Sequence, residues 1–241
     1  MKIEVLDNAD LAAYKAASII AGEARKSIAL RGRFIIAVSG GKTPLKMLRA
    51  LAEEDVPWEG MHILQVDERL APLGHPDRNM THLRESLSGH APIPPERIHA
   101  MQVEEKDPES AAACYAMTIR EIAGPEAIID LVHLGLGPDG HTASLIPHDP
   151  ILDVTGKDVA ITGIYQGRRR MTLTYPAINR ARKILWLITG SEKREMLQRL
   201  LDGDLSIPAG RISQEHAMVL ADKDAGPGIR KPFINRIMTI F

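Results

Sequence analysis

The sequence predicts a single-domain α/β protein with an open, mostly parallel sheet and helices on both of its faces. Short apolar runs rich in β-branched residues alternate along the chain with longer segments whose apolar residues recur at helical spacing. This alternation is typical of parallel sheets, because neighbouring parallel strands need a long crossover connection that is usually a helix. No internal repeat or long linker interrupts the 241 residues, so one domain is expected to span 1–241.

The strands are predicted from uninterrupted apolar runs, which is the pattern of strands buried on both faces. The run Phe34–Val38 (FIIAV) is strongly apolar and shows this pattern clearly. In chain order, the predicted strands are 3–6, 34–38, 62–66, 128–134, 159–164, 171–174, 183–189 and 217–221.

The helices are predicted where apolar residues recur three and four positions apart. The longest begins at Asp10 and ends before Gly32, which breaks the pattern. The helix after strand 34–38 is expected to have Thr43 as its N-cap and Pro44 in its first position, where the missing N–H is not needed. In chain order, the predicted helices are 10–29, 45–53, 80–87, 108–122 and 191–201.

The composition excludes several classes of protein. The net charge of −1 favours neither nucleic acid nor a membrane surface as a partner, and the single Cys114 excludes an intrachain disulfide. No apolar run approaches the roughly 20 residues that span a bilayer, and the N-terminus carries acids where a signal peptide would be basic. No histidine falls in a His-Glu-x-x-His frame, so no metal is expected. A cytoplasmic protein is therefore expected.

The C-terminal tail 226–241 is basic, with Arg230, Lys231 and Arg236 and no acidic residue. The sequence leaves open whether this tail docks on the domain or forms an interface. A monomer or a small homo-oligomer is expected.

Three unusual loops follow predicted strands, at 39–44, 67–69 and 135–147. In open α/β sheets, ligands bind beyond the carboxyl ends of the strands. Since all three loops lie at that edge, we expect them to form one site.

The first loop has the composition of a phosphate site. Paired Gly40 and Gly41 let the backbone approach a ligand closely, and the helix that follows offers free N–H groups and a positive dipole end. Lys42 and the hydroxyl groups of Ser39 and Thr43 add further donors. An ordinary strand-to-helix turn is the simpler alternative.

Two known phosphate or catalytic motifs fit this loop poorly. A Walker P-loop requires glycine where the chain has Ile36. A nucleophile elbow would make Ser39 the nucleophile with His141 or His216 as its base, but the residues 40–44 delay the helix that an elbow enters at once.

The third loop, 135–147, contains three glycines and a proline within six residues, which forces an abrupt turn. Within it lie the acceptor Asp139 and His141, a group that titrates near neutrality. A tight connection with a surface histidine remains the alternative. Arg170 opens a strand and Lys193 lies in a first helical turn, where the helix dipole disfavours a cation, so both are candidates to face an anion.

In this order, the motifs Ser-Gly-Gly-x-Thr-Pro, Asp-Glu-Arg, Gly-x-Gly-x-Asp-Gly-His-Thr-Ala-Ser-Leu and Arg-x-Thr-Leu-Thr resemble the 6-phosphogluconolactonase family, which belongs with the glucosamine-6-phosphate deaminases. The resemblance covers nearly the whole chain, from Ser39 to the region of Asp222 and Ala225. It implies a Rossmann-like fold and hydrolysis of 6-phospho-glucono-1,5-lactone to 6-phosphogluconate, in the pentose phosphate or Entner–Doudoroff route and without a cofactor.

The resemblance also implies roles for individual residues. His141 would take a proton from the attacking water, Asp139 would orient the imidazole or hold a sugar hydroxyl, and Arg69 or loop N–H groups would stabilise the oxyanion. The implied catalytic positions are Asp67, Arg69, Asp139 and His141. The implied substrate-binding positions are Ser39, Gly40, Gly41, Lys42, Thr43, Arg170 and Lys193.

Some positions depart from the family or separate its activities. Lys42 stands where serine is more usual, and His148 stands where glycine is common. The deaminases resemble a pattern with glutamate where this chain has Ile146, and they tend to have tyrosine where it has Arg69. The lactonase is therefore favoured over a deaminase or isomerase. The non-catalytic alternative is a sugar-phosphate sensor.

Overall fold

The structure is a computed structural model that describes residues 1–87 and 89–226. Within these residues the strands are β1 (Lys2–Leu6), β2 (Phe34–Val38), β3 (Met61–Gln65), β4 (Asp67–Arg69), β5 (Ile98–His99), β6 (Leu131–Leu134), β7 (Val159–Ile161), β8 (Arg170–Leu173), β9 (Ile184–Ile188) and β10 (Ala217–Asp222). The α-helices are α1 (Ala9–Arg31), α2 (Lys42–Ala52), α3 (Asn79–Leu87), α4 (Pro108–Ala123), α5 (Tyr175–Asn179) and α6 (Arg194–Leu201).

In the described part of the chain, seven strands form one parallel sheet in the order β1-β10-β9-β6-β2-β3-β5. The parallel α/β fold predicted from the sequence is confirmed. Because every strand of this sheet runs the same way, the loops after β2, β3, β6 and β9 all leave at one edge.

Side chains of β2 alternate between two cores, which explains why the whole run is apolar. Phe34 and Ile36 belong to the core that α1, α2 and α3 cover, whereas Ile35 belongs to the core that α4 and α6 cover. A strand with helices on both faces has no solvent side, so a polar residue would be buried at either kind of position.

Helix α1 has well-formed caps at both ends. The Oδ1 of Asn8 accepts a hydrogen bond from the amide of Leu11 (2.9 Å), which satisfies one of the free N–H groups of the first turn. At the other end Gly32 adopts the left-handed conformation (φ 73°) and donates its amide to Ile28 O. The break predicted at Gly32 is therefore confirmed, and it directs the chain into β2.

The predicted start of the second helix is wrong. Helix α2 begins at Lys42 with Gly41 as its N-cap, so Thr43 lies inside the first turn. The reason is the backbone of Gly41, whose φ of 121° is readily available only to glycine and turns the chain into the helix early. The hydroxyl group of Thr43 is paired instead with that of Thr189, 2.8 Å away.

Asp67–Arg69 is a strand rather than the expected loop. This short strand, β4, belongs to an antiparallel sheet of three strands in the order β4-β8-β7, which the sequence analysis did not predict. Three polar residues carry no periodic signal, and the strand exists only because β8 pairs with it. The pairing sets Arg69 directly opposite Arg170.

Other differences concern short elements and element ends. Strand β5 and helix α5 were not predicted, and residues 191–193 form a 3-10 turn before α6. Among the helices of residues 1–87 and 89–226, none has the length and apolarity needed to span a membrane. Of the predicted tail 226–241, residues 227–241 lie outside the described part of the chain.

Gly22 inside α1 and Gly32 at its C-terminal cap allow a test of how backbone conformation contributes to stability. An added Cβ would meet open space at both Gly22, inside the helix, and Gly32, at its end. We expect Gly22→Ala to stabilise the fold by about 0.5–1 kcal/mol, because alanine loses less conformational entropy in a helix. We expect Gly32→Ala to destabilise it by about 1 kcal/mol, because alanine disfavours positive φ.

The midpoint of urea unfolding measures both changes. Since neither substitution creates a clash, the difference between them isolates the effect of φ. Equal shifts of the same sign for the two variants would contradict this explanation.

Candidate active site

A cleft of about 310 Å³ opens at the carboxyl edge of the parallel sheet. Most of the residues that the sequence analysis singled out for the site line this cleft, and Asp139 contacts His141 at its wall. The predicted residues in the lining are Ser39, Gly40, Gly41, Lys42, Thr43, Asp67, Arg69, His141, Arg170 and Lys193. His216 lies at the opposite edge, beside the beginnings of β9 and β10.

The loop after β6 holds Asp139 and His141 as a hydrogen-bonded pair. Asp139 Oδ1 lies 2.5 Å from Nδ1 of the imidazole and also accepts from the His141 amide at 3.2 Å. A carboxylate at Nδ1 requires that nitrogen to carry the proton, so Nε2 of the neutral ring is a free acceptor. The pair therefore has the arrangement of an oriented general base.

Gly137 is required for this close approach. A Cβ added to Gly137 would lie 2.1 Å from His141 Nδ1 and 2.7 Å from Asp139 Oδ1. Any side chain at this position would displace the pair. The same Cβ at Gly135, two residues earlier, would meet nothing within 4 Å.

Tyr165 is a member of the site that sequence reasoning missed. Its hydroxyl group donates to Asp139 Oδ2 at 3.0 Å. Burial raises the pKa of Asp139, but the hydrogen bonds from His141 and Tyr165 outweigh it and hold that pKa well below its usual range. Asp139 is therefore a carboxylate at neutral pH.

The loop after β2 presents a helix N-terminus to the cleft. Gly40 packs so tightly that an added Cβ would lie 1.9 Å from Asn79 Oδ1, and α2 begins at Lys42. The first amides of a helix have no acceptor within it, so those of residues 42 and 43 are available as donors at the wall of the cleft. Lys42 adds a charge beside them.

The hydroxyl group of Ser39 is already used within the fold. It donates to the carbonyl oxygen of His133 at 2.9 Å, and the Ser39 amide approaches His133 Nδ1 at 3.3 Å. A nucleophilic serine donates its hydroxyl hydrogen bond to a base, whereas the Ser39 hydroxyl group donates to a main-chain carbonyl oxygen, which is not a base. This geometry favours an anchoring role for Ser39 over the nucleophile elbow.

Two arginines face the cleft from β4 and β8. The Nη1 of Arg69 donates to Asp77 O (2.8 Å) and Asn79 Oδ1 (2.7 Å), and the Nη2 of Arg170 donates to Gln166 Oε1 (3.2 Å). Burial, and then the charge of Arg69, lower the pKa of Arg170. Within the described residues, the Nε of each arginine is buried without a partner. An anion in the cleft would offset the repulsion between the two guanidinium groups.

The other charged residues of the lining determine the net charge of the cleft. The oxygens of Asp67 accept hydrogen bonds from Ser144 Oγ (2.6 Å) and Asn79 Nδ2 (3.2 Å). Lys193 and Glu192 face the cleft from the turn before α6. Lys42, Arg69, Arg170 and Lys193 are cationic and only Asp67 and Glu192 are acidic, so the described lining favours an anionic ligand.

Tyr165 and Asn79, which the sequence analysis did not assign to the site, differ in how much signal they give in the sequence. Tyr165 precedes Gln166 and Gly167, a pair that fits a hairpin turn, so the position was detectable as a turn but not as part of the site. Asn79 lies in a stretch rich in proline and histidine and gives no pattern. Among residues 1–87 and 89–226, no group of three His, Cys, Asp or Glu side chains could hold a metal ion.

Comparison with known proteins gives consistent similarities. The family described as Glucosamine-6-phosphate isomerases/6-phosphogluconolactonase matches residues 7–221. A 6-phosphogluconolactonase of Synechocystis sp. is 36% identical over 95% of this chain and 98% of the relative. One of Mycobacterium tuberculosis is 31% identical over 92% and 96%, respectively. The crystal structure of a 6-phosphogluconolactonase from Thermotoga maritima, 28% identical, superposes with a TM-score of 0.81 over 92% of this chain and 98% of that one.

The charge of the cleft leads to a binding prediction that needs no substrate. We expect inorganic phosphate to raise the thermal unfolding temperature, and Arg170→Gln to weaken phosphate binding about tenfold, because a charged hydrogen-bond donor is lost. Phosphate titrations followed by thermal unfolding measure both effects.

Arg169→Gln is the matched control. Its guanidinium lies outside the cleft and contacts Thr162 O (3.2 Å) and Glu109 (3.5 Å). Equal weakening by the two variants would mean that phosphate binds elsewhere.

Proposed function

Because this chain belongs to the glucosamine-6-phosphate isomerase/6-phosphogluconolactonase family, we propose that it hydrolyses 6-phospho-D-glucono-1,5-lactone to 6-phospho-D-gluconate. It is a hydrolase of carbohydrate metabolism, in the pentose phosphate pathway. The observation that carries the proposal is the oriented Asp139–His141 pair in a cationic cleft. A cytoplasmic location and a monomer or small homo-oligomer remain predictions.

His141 acts as the general base. A lactone is an activated ester, so water can attack its C1 carbonyl once a base removes a proton from that water. Nε2 of His141 takes this proton, while Asp139 keeps the ring oriented and stabilises the imidazolium that forms. Base catalysis of this kind typically contributes about 10²–10⁴ in rate.

Arg69 stabilises the oxyanion that the attack creates at C1. Its Nη1 is held by Asp77 O and Asn79 Oδ1, so Nη2 is the donor that remains for the oxyanion. A preorganised donor costs no reorganisation during the reaction, and one such donor is typically worth about 3–4 kcal/mol. Asp67 fixes Asn79 and therefore acts on Arg69 from a distance.

The phosphate group binds at the start of α2, between the amides of residues 42 and 43 and the charges of Arg170 and Lys193. Lys42 adds a charge at the position where the family usually has serine. Binding the phosphate away from the reacting carbon supplies orientation rather than chemistry. Ser39 anchors this loop through His133.

Ile146 supports the lactonase over the deaminase. The resemblance puts a functional glutamate at this position in the deaminases, and here an apolar side chain lies there with 5% of its surface exposed. Such a side chain transfers no proton.

The decisive experiment follows loss of the lactone above its spontaneous hydrolysis. We expect acceleration by the protein and no ammonia from glucosamine-6-phosphate. Binding of 6-phosphogluconate without acceleration would instead support a sensor, and release of ammonia would support a deaminase.

Replacement of His141 tests the base. We expect His141→Ala to lower kcat about 10²- to 10⁴-fold, because water then attacks the C1 carbonyl with no base to remove its proton, while 6-phosphogluconate binding is nearly unchanged. Stopped-flow or steady-state lactone assays, with binding measured by calorimetry, check both parts. His216→Ala at the opposite edge is the control, and near-normal kcat in His141→Ala would contradict the mechanism.

Gly137 gives a second test that leaves both catalytic side chains in place. We expect Gly137→Ala to lower kcat about 100-fold or more, because the new methyl group displaces the Asp139–His141 pair and small misplacements of catalytic groups are costly. Gly135→Ala, in the same loop, should keep nearly normal kcat because its methyl group meets no protein atom, and any effect should fall on KM, since Gly135 lines the cleft. Similar losses of kcat in the two variants would show that any added side chain in this loop lowers activity, and would contradict a specific effect on the Asp139–His141 pair.

A further inference from the structure

A tight hairpin turn lies at the edge of the cleft, between β7 and β8. Its ends are Tyr165 and Arg168, whose amides and carbonyls pair at 2.9 and 3.3 Å. Between them, Gln166 and Gly167 both have positive φ, 50° and 81°. This is the geometry of the two-residue turns that match the twist of β-hairpins. The position of Tyr165 is therefore set locally, by the turn itself.

The side chain of Tyr165 contacts three groups of the proposed site. Its hydroxyl group donates to Asp139 Oδ2 at 3.0 Å. Its ring meets the His141 ring edge-on, with centroids 5.5 Å apart and planes at 65°, and the guanidinium carbon of Arg170 lies 4.9 Å from its centroid. One rigid side chain thus touches the acid, the base and a cation.

The carboxylate of Asp139 needs this support because it is only partly buried. The Asp139 side chain is 35% exposed and one of its oxygens is occupied by His141, so its second oxygen determines whether the carboxylate can rotate. Rotation would move the acceptor away from Nδ1 and redirect Nε2. Burial, and then the contact with Asp139, raise the pKa of Tyr165, so its phenol remains a donor through neutral pH.

We propose that Tyr165 is a positioning residue that fixes the Asp139–His141 pair from the β7–β8 hairpin. The inference rests on the proposed function only in taking His141 as the base. The hydroxyl proton of Tyr165 is committed to Asp139, so the residue acts through the pair and not on the substrate.

The test begins with Tyr165→Phe, which removes the hydroxyl group and keeps the ring beside His141 and Arg170. We expect kcat to fall about tenfold, because a hydrogen bond to a charged group is lost, with KM for the lactone changed less than about twofold. Tyr165→Leu also removes the ring from Arg170, and we expect it to raise KM in addition.

Tyr175→Phe is the matched control for loss of a phenol. Its hydroxyl group donates to Pro208 O at 2.9 Å, outside the cleft lining, so kcat should remain normal. Thermal unfolding of each variant checks that the fold is retained.

A double-mutant cycle separates positioning from direct catalysis. In an Asp139→Ala background, we expect Tyr165→Phe to change kcat less than about twofold, because the group it positions is gone. A normal kcat in Tyr165→Phe alone, or a full tenfold loss in the Asp139→Ala background, would overturn the proposal.

A spectroscopic measurement keeps this inference distinct from the proposed function. The Nδ1 proton of His141, assigned by its loss in His141→Ala, should give a downfield NMR signal that broadens or moves upfield in Tyr165→Phe and not in Tyr175→Phe. If the wild-type protein fails to hydrolyse the lactone, the proposed function fails, whereas an unchanged signal in Tyr165→Phe overturns the positioning role.

Discussion

The hydrogen bond between Asp139 and His141 Nδ1 is the contact on which the proposed chemistry depends. It selects the tautomer whose Nε2 can accept a proton, and it needs the missing side chain of Gly137 to form. Both partners lie in one loop at the end of β6, so the distance between them is set locally. Their surroundings come from elsewhere in the chain, since Tyr165 reaches Asp139 from a separate sheet.

The second constraint is electrostatic. Pairing of β4 with β8 puts Arg69 opposite Arg170, and bringing two guanidinium groups together costs free energy that an anionic substrate can recover. A buried network holds this arrangement without the substrate. The Glu68 carboxylate, fully buried, accepts from the amides of Arg69 and Asn79, each at 2.8 Å. It thereby caps α3 and keeps Asn79 within reach of Arg69.

Local patterns predicted most of the fold because they report burial. The run Phe34–Val38 reads as a strand since both of its faces are covered, and Gly32 ends α1 because its φ of 73° is easily reached only by glycine. The start of α2 was misplaced because Thr43 satisfies a capping preference in sequence but pairs with Thr189 in space. Strand β4 was missed because its three polar residues become a strand only by pairing with β8.

For the site, the sequence by itself indicated the candidate chemical groups, namely a phosphate-type loop at 39–44 and the carboxylate and imidazole of Asp139 and His141. The sequence also predicted that these groups lie at one edge of the sheet, because the carboxyl ends of parallel strands are all on the same side. Only the tertiary structure decided which groups support them: Tyr165 on Asp139, Asn79 on Arg69, and Arg170 opposite Arg69. These contacts join residues far apart in the chain. Local periodicity reports which residues are buried, but it does not indicate which distant residues come into contact.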